Sequence, residues 1–144
     1  MASKDNTFFL EIVSPEGIVF EGEVEKITLE TNIGEITVLP HHVSLFTKLA
    51  EGEVTILADG NKTHIAVAGG FLEVKENKAT ILSDYAIRAE SIEIAKAEER
   101  KRKAENVLQE KAENTDFILA QKDLRKSILE LKVAQNVKRR HTNS

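Results

Sequence analysis

The strongest constraint on this fold is the point at which the chain-breaking residues stop. All seven glycines and both prolines lie at or before Gly70, and residues 71–144 contain neither. Glycine and proline punctuate short strands, whereas a stretch without them, rich in Ala, Glu, Lys, Arg and Leu, favours unbroken helix. One chain therefore has to fold in two styles, strands first and helices afterwards. Charge divides at nearly the same place. Residues 1–84 carry 6 Lys/Arg against 14 Asp/Glu, a balance of −8, and residues 85–144 carry 14 against 10, a balance of +4.

The first half reads as short strands. Phe8–Val13 runs into Ser14-Pro15-Glu16-Gly17, where proline presets the first turn angle and glycine permits the last. Ile18–Phe20 follows, then Val24–Thr31, in which Ile27, Leu29 and Thr31 alternate with Lys26, Thr28 and Glu30. Asn32-Ile33-Gly34 turns the chain into Glu35–Leu39. Val43–Leu49, Val54–Leu57, His64–Val67, Phe71–Val74 and Ala79–Leu82 complete the set, with Asp59-Gly60-Asn61 as a hairpin signal. About nine or ten strands in so short a span suit a sandwich or barrel, and two stacked antiparallel sheets bury one face of each strand.

The second half predicts a helical hairpin. Ser91 is a good N-cap, with Glu93 in the first turn where the helix dipole favours an anion, and a first helix runs to about Glu113. Asn114-Thr115-Asp116 breaks it, and a second helix runs from about Asp116 to Lys138. Two helices of this length each span roughly 35 Å at 1.5 Å per residue. The seam is expected to join Ile94, Ala97, Lys101, Ala104 and Leu108 of the first to Phe117, Ala120, Leu124, Ile128 and Leu131 of the second. A buried alanine contributes far less than a buried leucine, so the hairpin holds without holding firmly.

Reaction chemistry does not emerge. Cysteine is absent, which removes disulfides, thiolate nucleophiles and cysteine-based zinc sites. His41 and His42 are consecutive, so in extended chain their rings point apart, and a docking loop suits them better than a metal. Ala68-Gly69-Gly70 lies between two strands without a helix start behind it. It reads as a tight corner where only glycine fits, not as a phosphate loop. Residues 115–140 carry seven Lys/Arg against three acids, a positive stripe. Without stacking aromatics or a nucleic-acid motif, that stripe points to an acidic protein partner. The opening MASKDNTFFLEIV lacks the apolar core of a secretory signal, so the chain is expected in the cytosol.

The order VSPEGIVFEGEVEKITLETNIGEITVLPHHVSLFTKL, then IAVAGGFLEV, ATIL, AIRAE and two charged helices resembles the epsilon subunit of bacterial F-type ATP synthases, called delta in mitochondria. The most specific pieces are Gly34-Glu35 with Leu39-Pro40-x-His42, and Gly69-Gly70-Phe71-Leu72-Glu73-Val74. The resemblance implies a ten-stranded antiparallel β-sandwich over residues 1–86 and a two-helix regulatory arm over 87–144. It implies a non-catalytic rotor subunit, bound to gamma and resting on the c-subunit ring at the cytoplasmic face of the plasma membrane. Its hairpin would extend to reach alpha and beta subunits and inhibit ATP hydrolysis. Gly34, Glu35, Pro40 and His42 match ring-contact positions at one end of the sandwich, whereas His41 inherits no role. Lys122, Arg125, Lys126 and Lys132 would face the catalytic head. Some members bind ATP at the hairpin; here Ile92-Glu93-Ile94-Ala95-Lys96-Ala97 takes the place of Ile/Leu-Asp-x-x-Arg-Ala. Glu93, Lys96 and Lys126 are thus the residues of a weak ATP site, the alternative reading being a nucleotide-sensing module. Glu130, where those members carry an arginine, would repel phosphate. No cofactor and no nucleic acid are implied.

Overall fold

A computed structural model of the chain describes residues 6–110 and 114–142, in two compact units, residues 1–88 and 89–144. The first unit holds ten strands: β1 Phe8–Ser14, β2 Gly17–Val24, β3 Lys26–Thr31, β4 Gly34–Val38, β5 Leu45–Lys48, β6 Gly52–Ala58, β7 Asn61–Ala68, β8 Phe71–Lys75, β9 Lys78–Leu82 and β10 Tyr85–Arg88. They form two five-stranded sheets, one in the order β2-β1-β9-β8-β5 and the other β10-β7-β6-β3-β4. Inward residues alternate along β1, β3, β8 and β9, as a half-buried strand requires. Leu10 and Ile12 of β1, Ile27 and Leu29 of β3, Ile56 of β6, Ile65 of β7, Leu72 of β8 and Ile81 of β9 are all buried in one core. The sandwich is stitched where β5 ends: Asn32 N–H donates to the Lys48 carbonyl (3.0 Å) and Ala50 N–H to that of Glu30 (3.2 Å).

One pairing corrects the all-antiparallel expectation. β1 and β9 run parallel, with Phe9 opposite Lys78 and Val13 opposite Leu82. Parallel neighbours need a long crossover, and here the chain leaves the first sheet, builds most of the second, and returns to β1 running the same way. Strand ends also shift: β2 extends to Val24, so β3 starts at Lys26.

The Gly69-Gly70 corner is as tight as the sequence suggests. Gly70 has φ +102, and a Cβ there would lie 1.9 Å from the Leu82 carbonyl oxygen. Ser83 anchors the same corner: its hydroxyl reaches the carbonyls of Gly69 (3.0 Å) and Tyr85 (2.7 Å).

In the second unit, a 3-10 turn at Ala89–Ser91 precedes α1 (Ile94–Gln109) and α2 (Asn114–Thr142). Ser91 is consumed by that turn, so the N-cap is Glu93, without a side-chain cap bond, and α1 starts later than expected. α1 closes at Glu110, and the expected end at Glu113 lies outside the described residues. The helices are unequal, 16 and 29 residues, or about 24 and 44 Å at 1.5 Å per residue. Ala97 and Ala104 are buried and Ile94, Lys101 and Leu108 half-buried, on the face that the spacing predicts. The α2 face differs. Ala120, Ser127 and Leu131 are buried with Leu124 half-buried, while Ile128 and Phe117 are exposed. Spacings of four, three and four keep Ala120, Leu124, Ser127 and Leu131 on one side of α2, so Ser127 takes the place expected of Ile128.

Candidate functional site

The ring-contact residues flank one short strand. Asn32 and Ile33 form the tight turn between β3 and β4. There the Thr31 hydroxyl accepts from Ile33 N–H (3.2 Å) and donates to the Gly34 carbonyl (2.7 Å). Gly34 takes φ +120, and Ile33 at the tip is 82% exposed. Glu35 is exposed on β4, directly opposite Glu30 of β3.

Past the other end of β4, Leu39-Pro40-His41-His42 is a β-turn closed by His42 N–H donating to the Leu39 carbonyl (3.2 Å). His41 sits at φ +63, the left-handed position that such a turn needs after proline. Its N–H donates to Asn77 Oδ1 (2.8 Å), and Asn77 Nδ2 donates in turn to the Thr7 carbonyl (2.9 Å). Asn77 thus ties this loop to the start of β1, a role that the sequence did not reveal. The His42 ring donates from Nδ1 to the Val43 carbonyl (2.7 Å).

Gly34-Glu35 and Pro40-x-His42 therefore do not share one end of the sandwich. They sit at the two ends of β4, the edge strand of its sheet. The four residue steps from Glu35 to Leu39 separate them by about 13 Å. What they share is an edge. No group of three or more His, Cys, Asp or Glu among the described residues could hold a metal.

A continuous apolar surface lies elsewhere, and the sequence did not single it out. On the outer face of the first sheet, one apolar side chain from each strand forms a continuous band. Ile18 of β2 is opposite Val13 of β1, Val13 opposite Leu82 of β9, and Leu82 opposite Phe71 of β8. Phe71 then stacks on Phe46 of β5, ring centroids 5.3 Å apart. Ile18, Leu82, Phe71 and Phe46 are 60, 56, 44 and 66% exposed. A bulge in the β1–β2 ladder between Ile12 and Val13 sets the first of these pairings. The neighbouring row is acidic, with Glu21 opposite Glu11, and Thr80 between Glu11 and Glu73. Apolar bands this continuous mark interaction surfaces. The available signal was paired apolar residues in the strands (Ile12-Val13, Phe71-Leu72, Ile81-Leu82), each sending one side chain to either face.

On the helices, Lys122, Arg125 and Lys132 are exposed, while Lys126 is half-buried and already in contact within the chain. The cationic stripe is also interrupted, because Leu129 and Val133 on the same side of α2 are buried. Glu93 and Lys96 pair with each other (2.8 Å), and that carboxylate raises the Lys96 pKa above the ordinary lysine value. Glu130, the residue expected to repel phosphate, is buried and bridged to Arg100 of α1. A cleft of about 410 Å³ opens between the helices, floored by Ala104, Val107 and Ala120.

Known proteins agree with this architecture. The model of the ATP synthase delta/epsilon chain β-sandwich domain matches residues 7–89. The ATP synthase epsilon chain of Caldanaerobacter subterraneus is 37% identical over 131 residues, 90% of this chain and 95% of that protein. That of Chloroflexus aggregans is 39% identical over 135 residues, covering 92% and 97%. Among solved structures, a chain of the Euglena gracilis mitochondrial ATP synthase OSCP/F1/c-ring assembly aligns with a TM-score of 0.65 at 21% identity. The alignment covers 95% of this chain and 82% of that one.

Proposed function

The chain belongs to the ATP synthase delta/epsilon family, and from that membership we propose how it works as a non-catalytic rotor subunit of the central stalk. The β-sandwich is the foot and the helical pair a detachable arm. The observation that carries the reading is the apolar band Ile18–Val13–Leu82–Phe71–Phe46, which we assign to the gamma subunit. A rotor part has to be gripped firmly enough to turn with the shaft. A band crossing all five strands distributes that grip over a rigid sheet, and its acidic flank suits a partner with basic residues beside its apolar stripe.

The β4 edge meets the c-subunit ring. Exposed Glu35 and the His42 ring, at its two ends, suit hydrogen bonding to polar loops. Among the described residues no helix is long and apolar enough to cross a membrane, and the chain reaches the membrane, at its cytoplasmic face, through the complex. In the extended arm, Lys122, Arg125, Lys126 and Lys132 meet acidic segments of the catalytic head, and the arm blocks hydrolysis sterically.

Two variants test this docking. Leu82→Glu places a charge in the middle of the band at a position that is already exposed, so the chain stays folded. Gamma binding, read by titration calorimetry, is expected to weaken at least about 100-fold, as when an interface hot spot is lost. Unchanged affinity would remove gamma from this face. Glu35→Lys puts a cation opposite Glu30, which favours the folded strand pair by a few tenths of a kcal/mol. Lower ATP yield per proton translocated is expected from that variant without loss of stability, and an unaltered yield would exclude Glu35 from the ring contact.

A further inference from the structure

The helical seam buries the wrong residue. α2 offers Ile128 to the α1 contact, yet Ile128 is 47% exposed, and the neighbouring Ser127 is fully buried. Among the described residues the Ser127 hydroxyl has no hydrogen-bond partner. One helical turn further on, the Glu130 carboxylate is held out of water against the Arg100 guanidinium, which stays half in solvent. The remaining buried side chains along this contact include Ala97, Ala104 and Ala120, each with little apolar area to lose on separation. A well-packed seam would resolve each of these conflicts between local pattern and tertiary contact.

We propose that the α1–α2 seam is a built-in latch whose opening is set by two opposed features of this chain. The Arg100–Glu130 bridge closes it, and the orphaned Ser127 hydroxyl loads it toward release. When the helices part, water satisfies Ser127, so its burial cost is relieved only in the open form. Opening also returns both charges of the bridge to water, which keeps the bridge modest as a clasp. Deleting the arginine alone weakens what holds the Glu130 charge in the closed seam. The latch rests on the arm reading above and gives it a means of regulation: residues inside the hairpin, without a ligand, set the fraction of time the arm is free.

The test is amide hydrogen exchange across residues 94–142 of the isolated full chain, with the β-sandwich amides of the same sample as reference. Ser127→Ala is expected to lower the opening constant about tenfold. Arg100→Gln is expected to raise it about tenfold or more, and Arg100→Lys to stay near the parent. If Arg100→Gln prevents the hairpin from forming at all, Ser127→Ala decides alone. Exchange that is unchanged or faster in Ser127→Ala, or equal in Arg100→Lys and Arg100→Gln, overturns the latch. Reconstituted complexes separate the two levels: Ser127→Ala should raise ATP hydrolysis and Arg100→Gln lower it. Exchange that shifts as expected while hydrolysis stays constant keeps the latch and removes the inhibitory arm.

Discussion

Gly70→Ala is expected to destabilise the β-sandwich severely and to lower its melting midpoint far more than a glycine replacement in an open turn. The new Cβ would lie 1.9 Å from the Leu82 carbonyl oxygen and 2.7 Å from the Ser83 Cα. Both are backbone atoms, and neither can swing aside as a side-chain tip would. The φ of +102 adds a conformation that alanine resists. The corner is also tied on both sides, because the Gly70 carbonyl accepts from Leu49 N–H at 2.9 Å and Ser83 holds Gly69. Relief would require pulling β8 away from β9, and with it the centre of one sheet. A cost above about 4 kcal/mol is expected, against a total near 5–15 kcal/mol for a domain of this size. Gly60→Ala is the control. Its φ is also positive, +76, but nothing lies within 4 Å of the added carbon, so about 1 kcal/mol is expected. Circular dichroism melting separates the two. Similar midpoints for both variants would mean that the corner is looser than described.

That contrast bears on what a sequence can disclose. The glycine corner was legible because its cause is local: two glycines between apolar strands mark backbone angles and a close approach that other residues do not tolerate. The strands themselves were legible from alternation and turn residues, and the helices from the absence of Gly and Pro beyond Gly70. Long-range choices were not. Nothing in Phe8–Ser14 says that its second neighbour is the parallel β9, because pairing between segments that far apart is decided by the whole core. The α2 face failed for a related reason. Apolar spacing favoured Ile128, but which side of a helix is buried depends on everything that packs against it, and the structure chose Ser127. The apolar band was hidden because each of its members reads in sequence as one more strand hydrophobe. Only the register aligns Ile18, Val13, Leu82 and Phe71 on the outer face. The family resemblance supplied Glu35 and His42, and the structure moved them from one end of the sandwich to the two ends of an edge strand.

Removing residues 89–144 is expected to leave a folded domain. The buried cluster that forms the core runs from Phe8 to Ile81, and every strand ladder lies within the first 88 residues. The band that we assign to gamma and the β4 edge are both retained, so assembly should survive. What is lost is the pair of helices, whose small, partly polar seam suits helices that come apart. Straightened, the two helices span about 68 Å at 1.5 Å per residue, long enough to reach far along a central shaft.

ATP hydrolysis by complexes reconstituted with the full chain, or with residues 1–88 alone, tests the foot-and-arm account most directly when bound subunit is quantified in the same preparations. Equal occupancy with hydrolysis at least about threefold faster for the truncated chain is expected, since one steric block is withdrawn. Equal rates at equal occupancy, or a truncated chain that no longer joins the complex, would contradict it.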